Sequence, residues 1–216
     1  MTIPTPQQYY AEQVPSQFNR LLDEQEQAVR AAGADAEHVQ RVLDGMRSVS
    51  ASIRVDVQGE GGGTWFLNIR AGRMAAGDAA DQPPFLTMIQ DAGSYERLVQ
   101  KAGDSALGML GGLSGLAGEM KLTRARIDNL SGVSGSLQFT LSGDAGFTLR
   151  IHFGSGPVPE QPTTRITVDP EGYRTLRAGE IQAHEAFMSG LIQVEGDMQL
   201  AMQLALAALS PDEVPS

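Results

Sequence analysis

The chain predicts an α+β fold, a mainly antiparallel sheet covered by helices, built around an internal duplication of one strand and helix unit. Three observations predict it. Two stretches with period-2 alternation of apolar residues, SIRVDV (52–57) and TWFLNIR (64–70), are followed later by a second pair, SLQFTL (136–141) and GFTLRIHF (146–153). Alternation of this kind marks strands with one buried face. Helical spacing precedes the first pair and follows each pair. Finally, with a shift of 78 residues held from Asp91 to Leu122, eight of 32 positions are identical, among them Asp91/Asp169, Tyr95/Tyr173, Leu98/Leu176, Gly118/Gly196 and Met120/Met198. Self-similarity at a long period bears on architecture before any single residue does.

In chain order, residues 1–15 are rich in Pro and Gln and read as a loose lead-in. Ser16 is the expected N-cap of a helix that buries Phe18, Leu21, Leu22 and Val29 and stops at Gly33. Asp35 caps a second helix with Val39, Val42, Leu43 and Met46 inward. The first hairpin turns at Gly59–Gly63, and FLTMI (85–89) is a further strand after a loop at 77–84. Ser94 is expected to cap a helix through Tyr95, Leu98 and Val99, ahead of an apolar glycine-rich stretch from Ala106 to Ala117. Lys121–Leu130 reads as a strand or short connector, because Thr123, Arg124, Arg126 and Asp128 interrupt any apolar face.

The second hairpin corresponds to the first at a shift of about 82, which pairs Trp65 with Phe147 and Val55 with Leu137. Then come TRITV (164–168), helices at 172–178 and 184–189, a strand at 191–195 and a final helix at 197–209. In that helix Met198, Ala201, Met202, Ala205 and Leu209 share one side, while Leu200, Leu204 and Leu206 widen the apolar arc. An arc that wide is buried from more than one direction, or one side of it faces something other than protein.

Composition removes several function classes. The chain has 216 residues, 41% of them hydrophobic, and a net charge of −10. Phosphate backbones and anionic membranes are bound through Lys and Arg, so neither nucleic acid nor a charged lipid surface is an expected partner. At most a transient membrane contact remains, through apolar side chains. Cysteine is absent, which excludes disulfides and thiolate chemistry and fits a reducing, cytoplasmic setting. MTIPTPQQYY has neither the basic start nor the apolar core of a signal peptide, and no window reaches the roughly 18 apolar residues of a membrane span.

The motifs that suggest chemistry fail on inspection. GEGGGT (59–64) is followed by a strand rather than the Lys-Ser/Thr and helix N-terminus that a phosphate loop needs, so it is a hairpin turn. His184-Glu185 begins a zinc-helix pattern, but Met188 stands where the second His belongs. The remaining histidines, His38 and His152, lie far away in sequence, so no metal and no cofactor are expected. Neither Ser114 nor Ser189 sits in G-x-S-x-G, and no catalytic residue is expected.

Six pieces of the second half, taken together, resemble the sterol carrier protein type 2 family of lipid-binding domains. They are Gly146–Ile151, Arg165–Val168, Gly172–Leu176, Ala186-Phe187-Met188-Ser189-Gly190, the strand Leu191–Glu195, and Gly196-Asp197-Met198-Gln199-Leu200-Ala201-Met202. The resemblance implies a five-stranded, mainly antiparallel sheet with an apolar tunnel under its helices, taking sterols, fatty acids or acyl chains without catalysis. This chain departs from the pattern in length, since the family's domain is nearer half its size, and in a first copy that lacks the closing helix. Two copies would form either a pseudo-dimeric sandwich or one enlarged sheet.

The domain division expected is an N-terminal helical segment (1–50), a first sterol-carrier-like repeat without its closing helix (51–130), a second with it (131–210), and a tail (211–216). The ligand-binding set is Phe187, Met188, Leu191, Met198, Met202 and Leu209, with Met109, Leu113 and Met120 as first-copy echoes. Methionine is flexible and polarizable, which suits a cavity that adapts to a lipid tail; the competing reading makes these ordinary core. Gln193 either faces solvent or supplies the single polar contact to a headgroup. The function expected is non-enzymatic binding or transfer of a hydrophobic small molecule. The alternative is a protein-interaction or self-assembly module, a homodimer, with the cavity filled by side chains.

Overall fold

The structure, a computed structural model, describes residues 3–31, 33, 36–102, 121–178, 180–181 and 183–209. The N-terminal stretch is helical, where the composition suggested a loose lead-in. Thr5 Oγ1 accepts from the Gln8 backbone N–H at 3.2 Å, and Gln8 Oε1 accepts from the Thr5 N–H at 3.0 Å. This reciprocal cap starts α1 (Pro6–Gln8), which runs through a π-helical turn (Tyr9–Gln13) into α2 (Val14–Ala31). The π turn brings consecutive side chains closer in direction, so Tyr9 and Tyr10 are both buried. Their rings meet at 5.1 Å, and Tyr10 also packs on Tyr95 at 5.9 Å and Trp65 at 5.6 Å. Gln90 Nε2 donates to the Tyr10 hydroxyl, Tyr95 donates to Pro4 O at 2.7 Å, and Trp65 Nε1 to Gln7 Oε1 at 2.8 Å. α3 (Ala36–Arg47) buries Val42, Leu43 and Met46.

All eight strands join one mixed sheet in the order β3-β2-β1-β4-β6-β5-β7-β8. They are β1 (Ala51–Gln58), β2 (Gly63–Arg70), β3 (Arg73–Gly77), β4 (Leu86–Asp91), β5 (Gly135–Leu141), β6 (Phe147–Phe153), β7 (Thr164–Val168) and β8 (Ile192–Gly196). β1–β4 and β5–β7 are parallel and the other neighbours antiparallel, so the sheet is mainly antiparallel as expected. Of the two arrangements open to the sequence, the enlarged sheet is the one formed. β3 carries no alternation in its sequence. It follows a two-residue turn at Ala71-Gly72, both at positive φ. Its outer edge is closed by Asn19, whose side chain donates to Met74 O at 3.0 Å and accepts from Met74 N at 2.8 Å.

The remaining helices are α4 (Ala92–Ala102), α5 (Arg124–Ser131), α6 (Pro170–Arg177), α7 (Ala183–Met188) and α8 (Met198–Leu209). α5 corrects the expectation of a strand or connector over 121–130. Thr123 caps it by accepting from Arg126 N, and its narrow apolar stripe, Ile127 and Leu130, is buried. It leads into β5 as α3 leads into β1. Val49 N donates to Met46 O at 3.2 Å, and Val133 N donates to Leu130 O at 3.1 Å, 84 residues on.

The hairpins also correspond at 84 rather than 82. Val57 pairs with Gly63, and Leu141 with Phe147. The turn bonds are Gly62 N to Gly59 O and Gly146 N to Gly143 O. A Cβ on Gly62 or Gly146 would fall 2.1 or 2.0 Å from the carbonyl of Val57 or Leu141, so both turns require glycine there. Trp65 is thereby matched with Leu149; both it and Phe147 are buried in the core. The strands that follow keep the spacing of 78: Ile53 pairs with Leu86, and Leu137 with Thr164. Asp91 and Asp169 then cap α4 and α6 alike, accepting from Ser94 N at 2.8 Å and Gly172 N at 2.6 Å. The difference of six residues falls in the connection that holds β3 in the first half and has no counterpart in the second.

One apolar core runs under the whole sheet. Ile53, Val55, Leu67, Met88, Leu137, Leu149, Ile151 and Val168 point to the helices, and the opposite face carries Ser52, Asn68, Ser136, Arg150 and His152.

The tyrosine cluster gives a first prediction. Burial pushes the Tyr9 hydroxyl up to about 12 and moves Tyr10 and Tyr95 in the same direction. An unfolded tyrosine titrates near 10, so from about pH 10 upward the unfolded chain releases a proton that the folded chain keeps. Stability should be full below pH 10 and fall as pH rises toward 12. Tyr9 Oη has no hydrogen-bond partner. Tyr9→Phe should therefore flatten the alkaline decline and raise stability at pH 7 by about 1 kcal/mol, read from urea unfolding across pH 7–12.

Candidate functional site

The expected site residues that the structure describes lie on α7, β8 and α8 and in the turn before β8, at the β8 end of the sheet. α7 buries only Ala186 among its described side chains and ends in a turn where Ser189 Oγ donates to Glu185 O and Ala186 O. Leu191, half-buried, is held by its N–H to Ala186 O at 2.9 Å and its carbonyl to Asp169 N at 3.3 Å. β8 alternates against β7: Ile192 and Val194 face the core, and Gln193 and Glu195 face outward, exposed. Of the two places open to Gln193, it takes the solvent side.

α8 is fixed by its first turn. Asp197 Oδ1 accepts from Gln199 N at 2.9 Å and Leu200 N at 3.1 Å; Asp197 N donates to Thr163 O, and Thr164 Oγ1 donates to Asp197 O. These bonds set the phase of the helix about its axis. Leu200 and Leu204 turn inward and are buried. Leu200 Cδ2 lies 2.8 Å from where a Cβ on Gly135 would be, so the glycine opens the seat that Leu200 fills. The sequence reading put Met198 and Met202 on the inner wall, but the phase set by Asp197 and Gly135 puts them outside. Phe187 is 41% exposed, Met188 82%, Met198 43% and Met202 63%. Leu200 and Leu204, which actually seat the helix, figured in the sequence only as the widening of its arc.

Four of the ten expected residues lie beyond this description. Met109, Leu113 and Met120 lie outside the described residues, as does the side chain of Leu209. The six others share one region: Leu191 is half-buried, Gln193 is on the polar face, and the four large apolar side chains point outward. A separate recess of about 70 Å³ lies among Lys101, Leu141, Asp144, Pro170 and Tyr173, well below the roughly 300–1,000 Å³ of ordinary ligand pockets. Among the described residues there is no group of three His, Cys, Asp or Glu able to hold a metal, and no helix long and apolar enough to cross a membrane.

The two sides of α8 should respond differently to truncation. Leu200→Ala should cost roughly 2–5 kcal/mol in chemical unfolding, by emptying the seat over Gly135. Met202→Ala, on the exposed side, should stay within about 0.5 kcal/mol of the unchanged protein.

Comparison with known proteins places this region. Residues 120–208 match the model of the SCP-2 sterol transfer family. A search of curated proteins finds no match. Similar solved structures include Sterol Carrier Protein 2 Like 2 from Aedes aegypti, at 19% identity and TM-score 0.31, covering 52% of this chain and 94% of that one. Sterol Carrier Protein 2 from Yarrowia lipolytica in its apo form has 17% identity and TM-score 0.30, covering 45% and 86%. The sterol carrier protein domain 2 of Helicoverpa armigera has 20% identity and TM-score 0.31, covering 56% and 92%. Those structural likenesses are too weak to carry an argument about this chain. The sequence match stands apart from them: it is the segment 120–208, spanning α5 to α8, that matches the SCP-2 sterol transfer family.

Proposed function

We propose that the chain binds or transfers a hydrophobic small molecule, a sterol, fatty acid or acyl lipid, without catalysing a reaction. One observation carries the reading. Phe187, Met188, Met198 and Met202 are the large apolar side chains left exposed among the described residues, and all four fall inside the family segment. Covering such surface releases roughly 25 cal/mol per Å² before the costs of association, and methionine adapts its shape to an irregular tail. The ligand would lie along α7 and α8 against these side chains. Leu191 would form its floor, Leu209 would extend the surface, and Met109, Leu113 and Met120 would be the matching set of the first half.

The organisation proposed with it is an N-terminal segment (1–50), two related units, and a tail (211–216). The shared registers, turn bonds and aspartate caps support a duplication. Because α5 leads into β5, the boundary between units is drawn before Thr123 rather than after Leu130. The absence of cysteine supports a cytoplasmic setting.

The same exposed side chains support a second reading, a self-association face that would make the protein a homodimer. The two differ in what the purified protein carries. Native mass spectrometry of fresh protein, followed by organic extraction, should find a stoichiometric lipid, and the stripped protein should take up a fluorescent fatty acid or sterol. Met198→Ser combined with Met202→Ser should weaken that uptake at least tenfold with an unchanged thermal midpoint. A lipid-free protein that takes up neither probe, and whose dimer is lost in the double variant, would overturn lipid binding in favour of self-association.

A further inference from the structure

The sheet face turned away from the helices carries two equivalent cross-strand pairs, Ser52–Asn68 in the first hairpin and Ser136–His152 in the second. In the first hairpin the pair is a closed latch. Ser52 Oγ donates to Asn68 Oδ1 at 2.6 Å, Asn68 Nδ2 donates to Ala79 O at 2.9 Å, and Asp81 N donates to Asn68 Oδ1 at 3.0 Å. The side chains thereby pin the segment that crosses this face before β4.

In the second hairpin the same positions are equally buried and make none of these bonds. Ser136 Oγ and both ring nitrogens of His152 have no hydrogen-bond partner, with His152 only 7% exposed. Arg150, two residues before His152 on the same face, donates from Nη2 to Pro159 O. Its buried Nε–H is left without an acceptor, and it forms no ion pair with a described residue. Thr87 flanks His152 from β4, and Gln138, opposite Arg150 on β5, donates to Thr140 instead. The patch is therefore a set of hydrogen-bond donors with a guanidinium charge and, among the described residues, no carboxylate paired with it. Buried polar groups in folded proteins are almost always paired, and a guanidinium edge is matched best by an oxyanion.

We infer that Arg150, His152 and Ser136 form a binding site for a small oxyanion, a carboxylate or a phosphate, on the sheet face turned away from the helices. The Arg150 Nε–H, the Ser136 hydroxyl and one imidazole N–H donate to it. The oxyanion is free rather than the headgroup of a ligand on α8. Leu200 seats α8 over Gly135 on the helix side of the sheet, whereas Ser136 points to the other side. The site is thus independent of the lipid reading, and either can fail without the other.

The test follows the His152 imidazole and Arg150 Nε–H resonances of the full ¹⁵N-labelled chain. Inorganic phosphate and acetate are titrated separately, at ionic strength held with chloride. Saturable shifts at both groups are expected with at least one anion. His152→Asn installs the Ser–Asn pair of the first hairpin, so it should fold with an equal or higher thermal midpoint and bind at least tenfold more weakly. Ser136→Ala, which removes an unpartnered hydroxyl, provides a second variant and should weaken binding severalfold. Shifts that do not saturate by about 50 mM of either anion overturn the site, as does unchanged affinity in both variants. Octanoate forms a third arm: His152 shifts accompanied by shifts of the Met198 and Met202 methyls would overturn the free-oxyanion assignment in favour of a lipid headgroup.

Discussion

β4 and β6 meet over four residue pairs, from Leu86 opposite Phe153 to Ile89 opposite Arg150, and this short antiparallel seam makes one sheet out of two hairpin systems. Every other feature depends on it. A strand edge is a row of unpaired donors and acceptors, and the seam buries two such rows at once. It also merges the two apolar faces, so that Met88 and Ile151 stand side by side in a single core. α4 lies across the join, packing on β4 and β6, and Arg97 of α4 donates to Gly146 O in the second hairpin's turn at 3.2 Å. Only β3 and β8 remain as edges. One is closed by the Asn19 side chain, and the other is short and carries Gln193 and Glu195 outward.

How much of this was legible depended on whether a signal was local. The hairpins were, because Ile53/Val55/Val57 and Leu137/Phe139/Leu141 alternate cleanly and glycines mark the turns. Their relative offset was not. Offsets of 82 and 84 both preserve a period-2 pattern, so apolar matching cannot choose between them, and only the turn bonds of Gly62 and Gly146 do. α5 gives little signal because only two apolar residues, Ile127 and Leu130, are buried on it, and the third buried position is the charged Arg126. The lead-in is hard to read for the opposite reason. Its capping box, Thr5 and Gln8, was present in the sequence but followed by adjacent tyrosines that no ordinary helical stripe would bury together.

The site shows the same division more sharply. That α8 is an apolar helix following a strand could be read directly, as could the region in which the candidate side chains would gather. Which side of the helix faces inward could not, since Met198, Leu200, Met202 and Leu204 are all apolar. The choice is made elsewhere, by a carboxylate at Asp197 that bonds two particular N–H groups and by a residue on β5 with no side chain at all. On the other face of the sheet, Ser136 and His152 are unremarkable letters until the equivalent Ser52 and Asn68 are seen making the bonds that they do not.

The six residues by which the second connection is shorter than the first now take on a different meaning. In the first half the longer connection folds back as β3 and occupies the free edge of β2. Had the second half kept the same length, a strand there would occupy the matching edge of β6, and β4 would find no place to pair. Two sheets would then lie next to each other with their borders closed. The shorter connection acts as a vacancy in the fabric, leaving one selvedge unhemmed so that the neighbouring cloth can be woven onto it. The continuity of an eight-stranded sheet is thus governed by the length of a segment that belongs to none of its strands.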